Sequence, residues 1–360
     1  MKKSLLFLSL LTSVSLLSQA QDTKDTTKVA APAEVPPITV FGSVDAYYKY
    51  DFSGLKSRVN IPTSFANEQN SISLGMIDVG LKKKVGKASF LGELSFGPRG
   101  QAQSLPTAAG TYDEVNNSFH IQNLYVSYDL TDKLNMTAGY MSTFVGYEVI
   151  SPVGNFNYST SYLFTNGPFQ NAGLKATYTF SDKVSLMAGI FNDKWNYYQS
   201  AKKVNTFGAQ LMVVPVTGWT AYLNFIGGAE SGTEVDLTTN YQITTAFKLG
   251  LNAATFSAPS GTSGGFSGVA LYPQLAVSPI VTLGLRGEYF KTKSGDYLTV
   301  GPAPGRSVTG LTATANIHAG PLTVIPEVRL DHNQDKVFTA SDHSLTQSAS
   351  QFLIAAVYAF

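Results

Sequence analysis

From Ile38 to the end of the chain, apolar and polar residues alternate with a period of two, and the 3.6-residue period of an amphipathic helix is nearly absent. In "VFGSVDAYYKY", Val40, Gly42, Val44, Ala46, Tyr48 and Tyr50 fall on one face of an extended chain, with Ser43, Asp45 and Lys49 on the other. "KASFLGELSF" opposes Ala88, Phe90, Gly92, Leu94 and Phe96 to Lys87, Ser89, Glu93 and Ser95. "NAGLKATYTF" sets Ala172, Leu174, Ala176, Tyr178 and Phe180 against Lys175, Thr177 and Thr179. "VTLGLRGEYF" and "LTVIPEVRLD" repeat the pattern, with Arg286 and Glu288, then Glu327 and Arg329, on the polar side. Each segment runs for about ten residues, the length of a tilted strand that crosses a bilayer core.

The links between segments come in two lengths. Short ones fall at residues 131–133, 181–183, 215–217, 277–279 and 319–320; long ones fall at 53–69, 98–117, 144–170, 293–306 and 332–346. Strict alternation of short and long links predicts an all-β fold, a transmembrane antiparallel up-and-down β-barrel of about sixteen strands with tight periplasmic turns and long external loops. A soluble two-sheet sandwich alternates as well, but it buries its apolar face against another sheet and keeps its polar face in water. Here the polar face carries opposed charges on nearby strands, and the apolar face tends to end in Tyr or Phe near the turns, as barrels do at lipid interfaces. Residues 211–229, "LMVVPVTGWTAYLNFIGGA", are nearly enough for a spanning helix, yet Pro215, Thr217 and Gly218 mark a turn between two strands.

The chain closes on "QFLIAAVYAF". Phe352, Ile354, Ala356, Tyr358 and Phe360 share a bulky face, and Leu353, Ala355, Val357 and Ala359 a smaller one. A last strand of this kind, paired with the first, removes both sheet edges and turns its aromatic face to lipid.

Composition narrows the classes further. The 360 residues are 44% hydrophobic but only 14% charged, against roughly 25% charged in soluble domains. A net charge of +1 gives no field that would draw nucleic acid. No cysteine is present, which excludes disulfides, thiolate chemistry and Cys-ligated zinc. Residues 1–20 read as a signal peptide: Lys2 and Lys3 precede an apolar stretch, and Ser18-Gln19-Ala20 supplies the small residues of a cleavage site before Gln21. Residues 21–37, rich in Thr, Pro, Ala and charge, read as a flexible periplasmic segment ahead of a barrel at 38–360.

Six stretches then carry a likeness: "GSVDAYYKYDF", "LYVSYDL", "AGYMSTFVGYEVI", "NYSTSYLF", "FNDKWN" and "LRGEYF". In this order and spacing, from Ile38 to Phe360, they resemble the OmpL-like β-barrel porin family. The resemblance implies a water-filled channel in the outer membrane of a Gram-negative bacterium, passing small hydrophilic solutes by passive diffusion. It implies no enzyme and no cofactor. Its partners would be outer-membrane lipid and the barrel assembly machinery, with homo-oligomers admitted. In outer-membrane barrels generally, a last strand like this one, with Phe352, Tyr358 and Phe360, resembles the signal that the assembly machinery reads.

On that expectation, Asp45, Lys49, Glu93, Lys175, Arg286, Glu288, Glu327 and Arg329 line the lumen. They either set ion selectivity or pair with one another in the wall. The third long loop carries Phe144, Tyr147, Phe156, Tyr158, Tyr162, Phe164 and Phe169 with few charges. An external loop in water has no use for so many aromatics, so folding inward as a constriction, or packing as a surface lid, accounts for them. Two other classes stay in view: an outer-membrane lipase or protease, and a surface adhesin acting through its loops. The enzyme reading rests on His332, His343 and Asp342; Ser263 within "GTSGG" matches a nucleophile-elbow pattern but reads as a chance match, because it is set in a Gly/Ser-rich loop rather than a strand-to-helix turn.

Overall fold

In a computed structural model, the protein is described at residues 36–55, 60–101, 120–193, 200 and 202–360. The signal-peptide reading of residues 1–20, the segment 21–35 and most of the second long link lie outside the described residues.

Eighteen strands alternate with turns and loops. The first eight are β1 (Thr39–Asp51), β2 (Ile72–Val85), β3 (Ala88–Phe96), β4 (His120–Asp129), β5 (Leu134–Ser142), β6 (Gln170–Ser181), β7 (Val184–Asn192) and β8 (Val204–Val213). Next come β9 (Trp219–Gly228), β10 (Gly232–Gln242), β11 (Phe247–Ser257), β12 (Gly265–Ala276), β13 (Val281–Thr292), β14 (Ser307–Ala319) and β15 (Leu322–Asn333). A small hairpin, β16 (Phe338–Thr339) with β17 (Leu345–Thr346), sits in the last long loop, and β18 (Ser348–Ala359) ends the sheet. β1 to β15 and β18 form one closed antiparallel barrel in chain order, sixteen strands in all.

Closure is made by β1 against β18, in register from Ser43 opposite Ala359 to Asp51 opposite Gln351. The terminal residue joins in: Phe360 and Gly42 exchange both backbone hydrogen bonds at 3.0 Å. Elsewhere the β12–β13 ladder skips two pairs, at Tyr272 and Pro273, and the β14–β15 ladder two, at Ile325 and Pro326, where the prolines have no N–H to offer. Between β1 and β2 the register shifts at Asp45, and the Asp45 carboxylate accepts the displaced Met76 N–H at 2.9 Å.

The period of two decides which side of the wall each residue faces. Val44 and Leu330 are exposed on the outside, while their strand neighbours Ser43, Asp45, Arg329 and Asp331 turn inward and are polar; on β18 the inward neighbours of Ile354 are Leu353 and Ala355. Among the described residues no helix is long and apolar enough to cross a membrane; strands do the crossing. The stretch 211–229 is strand, turn and strand, with Gly218 at a φ of +83° in the turn.

One expectation needs correction. The alternation of link lengths is not strict, because β9 and β10 are joined on the long-loop side by residues 229–231 alone. Gly232, with a φ of +76°, and the bond from Ser231 Oγ to Asp193 C=O at 2.9 Å close that tight connection.

Candidate functional site

Residues 143–169 form the third long loop. A hydrogen bond from Thr143 N–H to Phe169 C=O, 3.1 Å, pinches its base. From there the loop runs inside the barrel. Its sequence holds one charged residue, Glu148, among aromatic, Ser, Thr and Asn residues. Away from any strand its backbone N–H groups need other acceptors. Carboxylates on the wall supply them.

Glu327 of β15 accepts Tyr158 N–H at 2.9 Å through one oxygen. Its other oxygen takes Ser159 N–H at 3.3 Å and the Ser159 hydroxyl. Glu288 of β13 accepts the N–H groups of Tyr162 and Leu163 at 3.0 and 2.9 Å. Those N–H groups open the one-turn helix Tyr162–Asn166, where a carboxylate meets the unpaired donors of a first turn. The Ser161 hydroxyl caps the same turn by accepting Phe164 N–H at 3.0 Å.

Cations on the wall hold the loop's acceptors. Arg286 of β13 donates to Glu148 and to Ser159 C=O, both at 2.6 Å. Arg329 of β15 forks onto Asp331 with bonds of 2.8 and 3.0 Å and donates to Thr160 C=O at 2.7 Å. Arg99, just past β3, donates to Tyr158 C=O at 2.7 Å and lies over the Tyr158 and Phe65 rings. The Tyr158 hydroxyl donates to Asp45 of β1.

The aromatics fix the rest of the loop. Tyr147 stacks on Tyr272 with ring centres 4.2 Å apart and donates to Asn240 at 2.6 Å. Tyr162 stacks on Phe290 and donates to Asp331 at 2.8 Å. Phe164 packs edge-on against Phe169 and beside Phe65, and Phe144 lies against Phe191. Two glycines make room: a Cβ at Gly284 would collide with the Phe156 ring, and one at Gly250 with the Tyr147 hydroxyl.

All eight charged residues expected in the lumen face the barrel interior, but the structure sorts them. Asp45, Arg286, Glu288, Glu327 and Arg329 bind the third loop and are sealed from water. Lys49 is held by the first long loop, donating to Asn67 C=O at 2.9 Å. Glu93 accepts Asn123 at 2.5 Å. Lys175, half-buried beside the outward Leu174, makes no hydrogen bond or ion pair among the described residues. At the seam, Tyr358 and Phe360 are exposed on the outer face and Phe352 is half-buried there, while Leu353, Ala355 and Val357 turn inward.

The groups considered for hydrolysis lie apart in their contacts. Ser263 Oγ is 3.5 Å from Asp296. His332 bonds Ser348 at 2.9 Å. Asp342 is occupied by the Ser344 hydroxyl and backbone N–H, which hold its carboxyl below the usual carboxylate range.

Glu148, Asp331, Arg99 and Asp236 belong to the loop's setting and were not singled out from sequence. Asp236 accepts the loop's Gly146 N–H at 3.1 Å and is itself bonded by Asn224 and Asn252. Two signals were present. Asp331 stands two residues after Arg329, on the same strand face, and Glu148 is the loop's only charge.

A family model described as "Putative beta-barrel porin-2, OmpL-like" matches residues 37–360. No curated protein matches the chain. Among solved structures, the outer membrane channel DcaP of Acinetobacter baumannii aligns with a TM-score of 0.60 at 13% identity, over 90% of this chain and 97% of that one. An anion-selective porin from Comamonas acidovorans aligns with a TM-score of 0.60 at 12% identity, over 90% and 99%. OprB of Pseudomonas putida gives 0.57 at 12%, over 90% and 94%.

Proposed function

Because the chain belongs to the OmpL-like family of β-barrel porins, we propose that it passes small hydrophilic solutes across the outer membrane of a Gram-negative bacterium by passive diffusion. The third loop narrows the bore. The observation that carries this is the loop's attachment to the lumen wall from within. Its bonds run to β8, β10, β13, β14, β15 and β1, while Lys175 of β6, opposite Thr137 and Gly189, makes no hydrogen bond to it. Unpaired ammonium groups beside threonine hydroxyls on the inner wall suit hydrated solutes.

Purified protein in a planar bilayer tests the reading. Stepwise current without any added substrate is expected; a folded, inserted barrel that never conducts would overturn it. Export belongs to the same proposal, with residues 1–20 removed and the barrel folded by the assembly machinery in outer-membrane lipid. Intact mass of protein extracted from outer membranes should begin at Gln21.

A further inference from the structure

Between loop residues 152–156 and the short-turn ends of the strands lies a cleft of about 300 Å³. Two of the loop's holds, Asn316 to Phe156 and Tyr147 to Asn240, border it, but none of the carboxylates and arginines that bind the loop does. Lys248 of β11 lines it, half-buried, with no hydrogen bond or ion pair among the described residues, and no carboxylate lines the cleft beside it. Asn316 of β14 lines it too. This side chain is only 7% exposed, its Nδ2 donates to Phe156 C=O at 3.1 Å, and its Oδ1 is buried with no donor. His318 presents a ring whose Nδ1 is taken by Thr323 Oγ1 at 3.0 Å. Phe156, Ile325 and Val357 supply an apolar wall.

The unmet groups specify a ligand. A half-buried ammonium without a counter-charge calls for an anion. A buried carbonyl oxygen without a donor calls for an N–H or O–H, since leaving it unmet costs the hydration it lost on burial. The volume suits a small organic molecule rather than a chain, being at the lower end of ordinary ligand cavities of roughly 300–1,000 Å³. We propose that this cleft is a solute subsite for small hydroxycarboxylates, with the carboxylate on Lys248 and the hydroxyl donating to Asn316 Oδ1. The site deepens the porin reading by naming a class of solute that pauses beneath the loop before leaving the bore.

The test is binding, measured apart from conduction. Saturation-transfer NMR on the full barrel folded in detergent would use glycerate and, as the probe lacking a hydroxyl, propionate. Glycerate is expected to bind more tightly than propionate. Lys248→Gln should weaken both by about tenfold, the loss of one charge-assisted hydrogen bond, while Lys248→Arg keeps binding and so guards against misfolding. Asn316→Leu should erase the preference for glycerate. Equal binding of glycerate to the native chain and to a folded Lys248→Gln barrel would overturn the site, as would equal binding of the two probes. A barrel that binds glycerate but never conducts in a bilayer would leave the subsite standing and sink the porin reading instead.

Discussion

Arg286 of β13 and Glu148 of the third loop are joined by an ion pair of 2.6 Å whose side chains are 1% and 4% exposed. The pair ties the middle of a loop to the middle of a wall. The sequence leaves Arg286 two parts, ion selectivity or pairing in the wall, and a charge closed off on all sides by Glu148, Ser159, Thr160 and Thr312 contributes little field to water in the bore. Its work is attachment.

Removing one partner of a buried pair leaves the other uncompensated, a change of about 3–5 kcal/mol. Arg286→Met should therefore release the loop and alter conductance rather than ion preference. The double variant Arg286→Met with Glu148→Leu should recover much of the loss. Single-channel conductance and urea midpoints of the two singles and the double decide it; additive losses would mean the two side chains act independently.

Lys175, like Lys248, is an inward wall cation with no hydrogen bond or ion pair among the described residues, so it is expected to contribute the selectivity that Arg286 does not. Lys175→Glu should shift the reversal potential in a salt gradient toward cations, with little change in conductance at 1 M salt. The shift should shrink between 0.1 M and 1 M salt, where the screening length falls from about 10 Å to about 3 Å. A salt-independent shift would point to a change of shape instead.

Deleting residues 154–165 removes Tyr158, Ser159 and all but the last residue of the Tyr162–Asn166 turn but spares the bond at the loop's base. The barrel should stay closed, judged by heat-modifiable gel mobility, because a loop with joined ends tolerates shortening. Conductance should rise. An unchanged conductance would mean that the loop does not limit flow.

Loss of Phe360 removes two backbone bonds to Gly42 and the ring that lies against it. The compact band on unheated gels should fall far more than total protein does. Equal yields of both would show that the residue is incidental to closure.

Much of the fold was legible because lipid imposes a simple rule. Every backbone group must find a partner within the sheet, and every second side chain must be apolar. Hence Val281, Leu283, Leu285 and Tyr289 betray β13 without help from elsewhere. The β9–β10 connection escaped because its Gly-rich sequence reads equally as loop or strand end. The inward fold of the third loop was half legible, from aromatics that water would not support. What could not be read was who binds whom. Arg286 and Glu148 are 138 residues apart, and nothing local marks them as partners. Lys248 escaped for the opposite reason: it sits in "FKLGLNAATF", where one lysine on an otherwise ordinary strand draws no attention.

Tyr158 touches three parts of the molecule at once: its N–H meets Glu327 on β15, its hydroxyl meets Asp45 on β1, and its carbonyl takes Arg99. In the barrel β18 lies between β15 and β1, so this loop residue spans the closing strand from within. That has a consequence in time. Asp45 is synthesised near the start of the chain and Glu327 near its end, and contacts so distant in sequence form late in folding. Tyr158 therefore gains its full set of bonds only as the last strand zips into place. Closing the seam is therefore also what lets one loop residue hold β15 and β1 together from the inside.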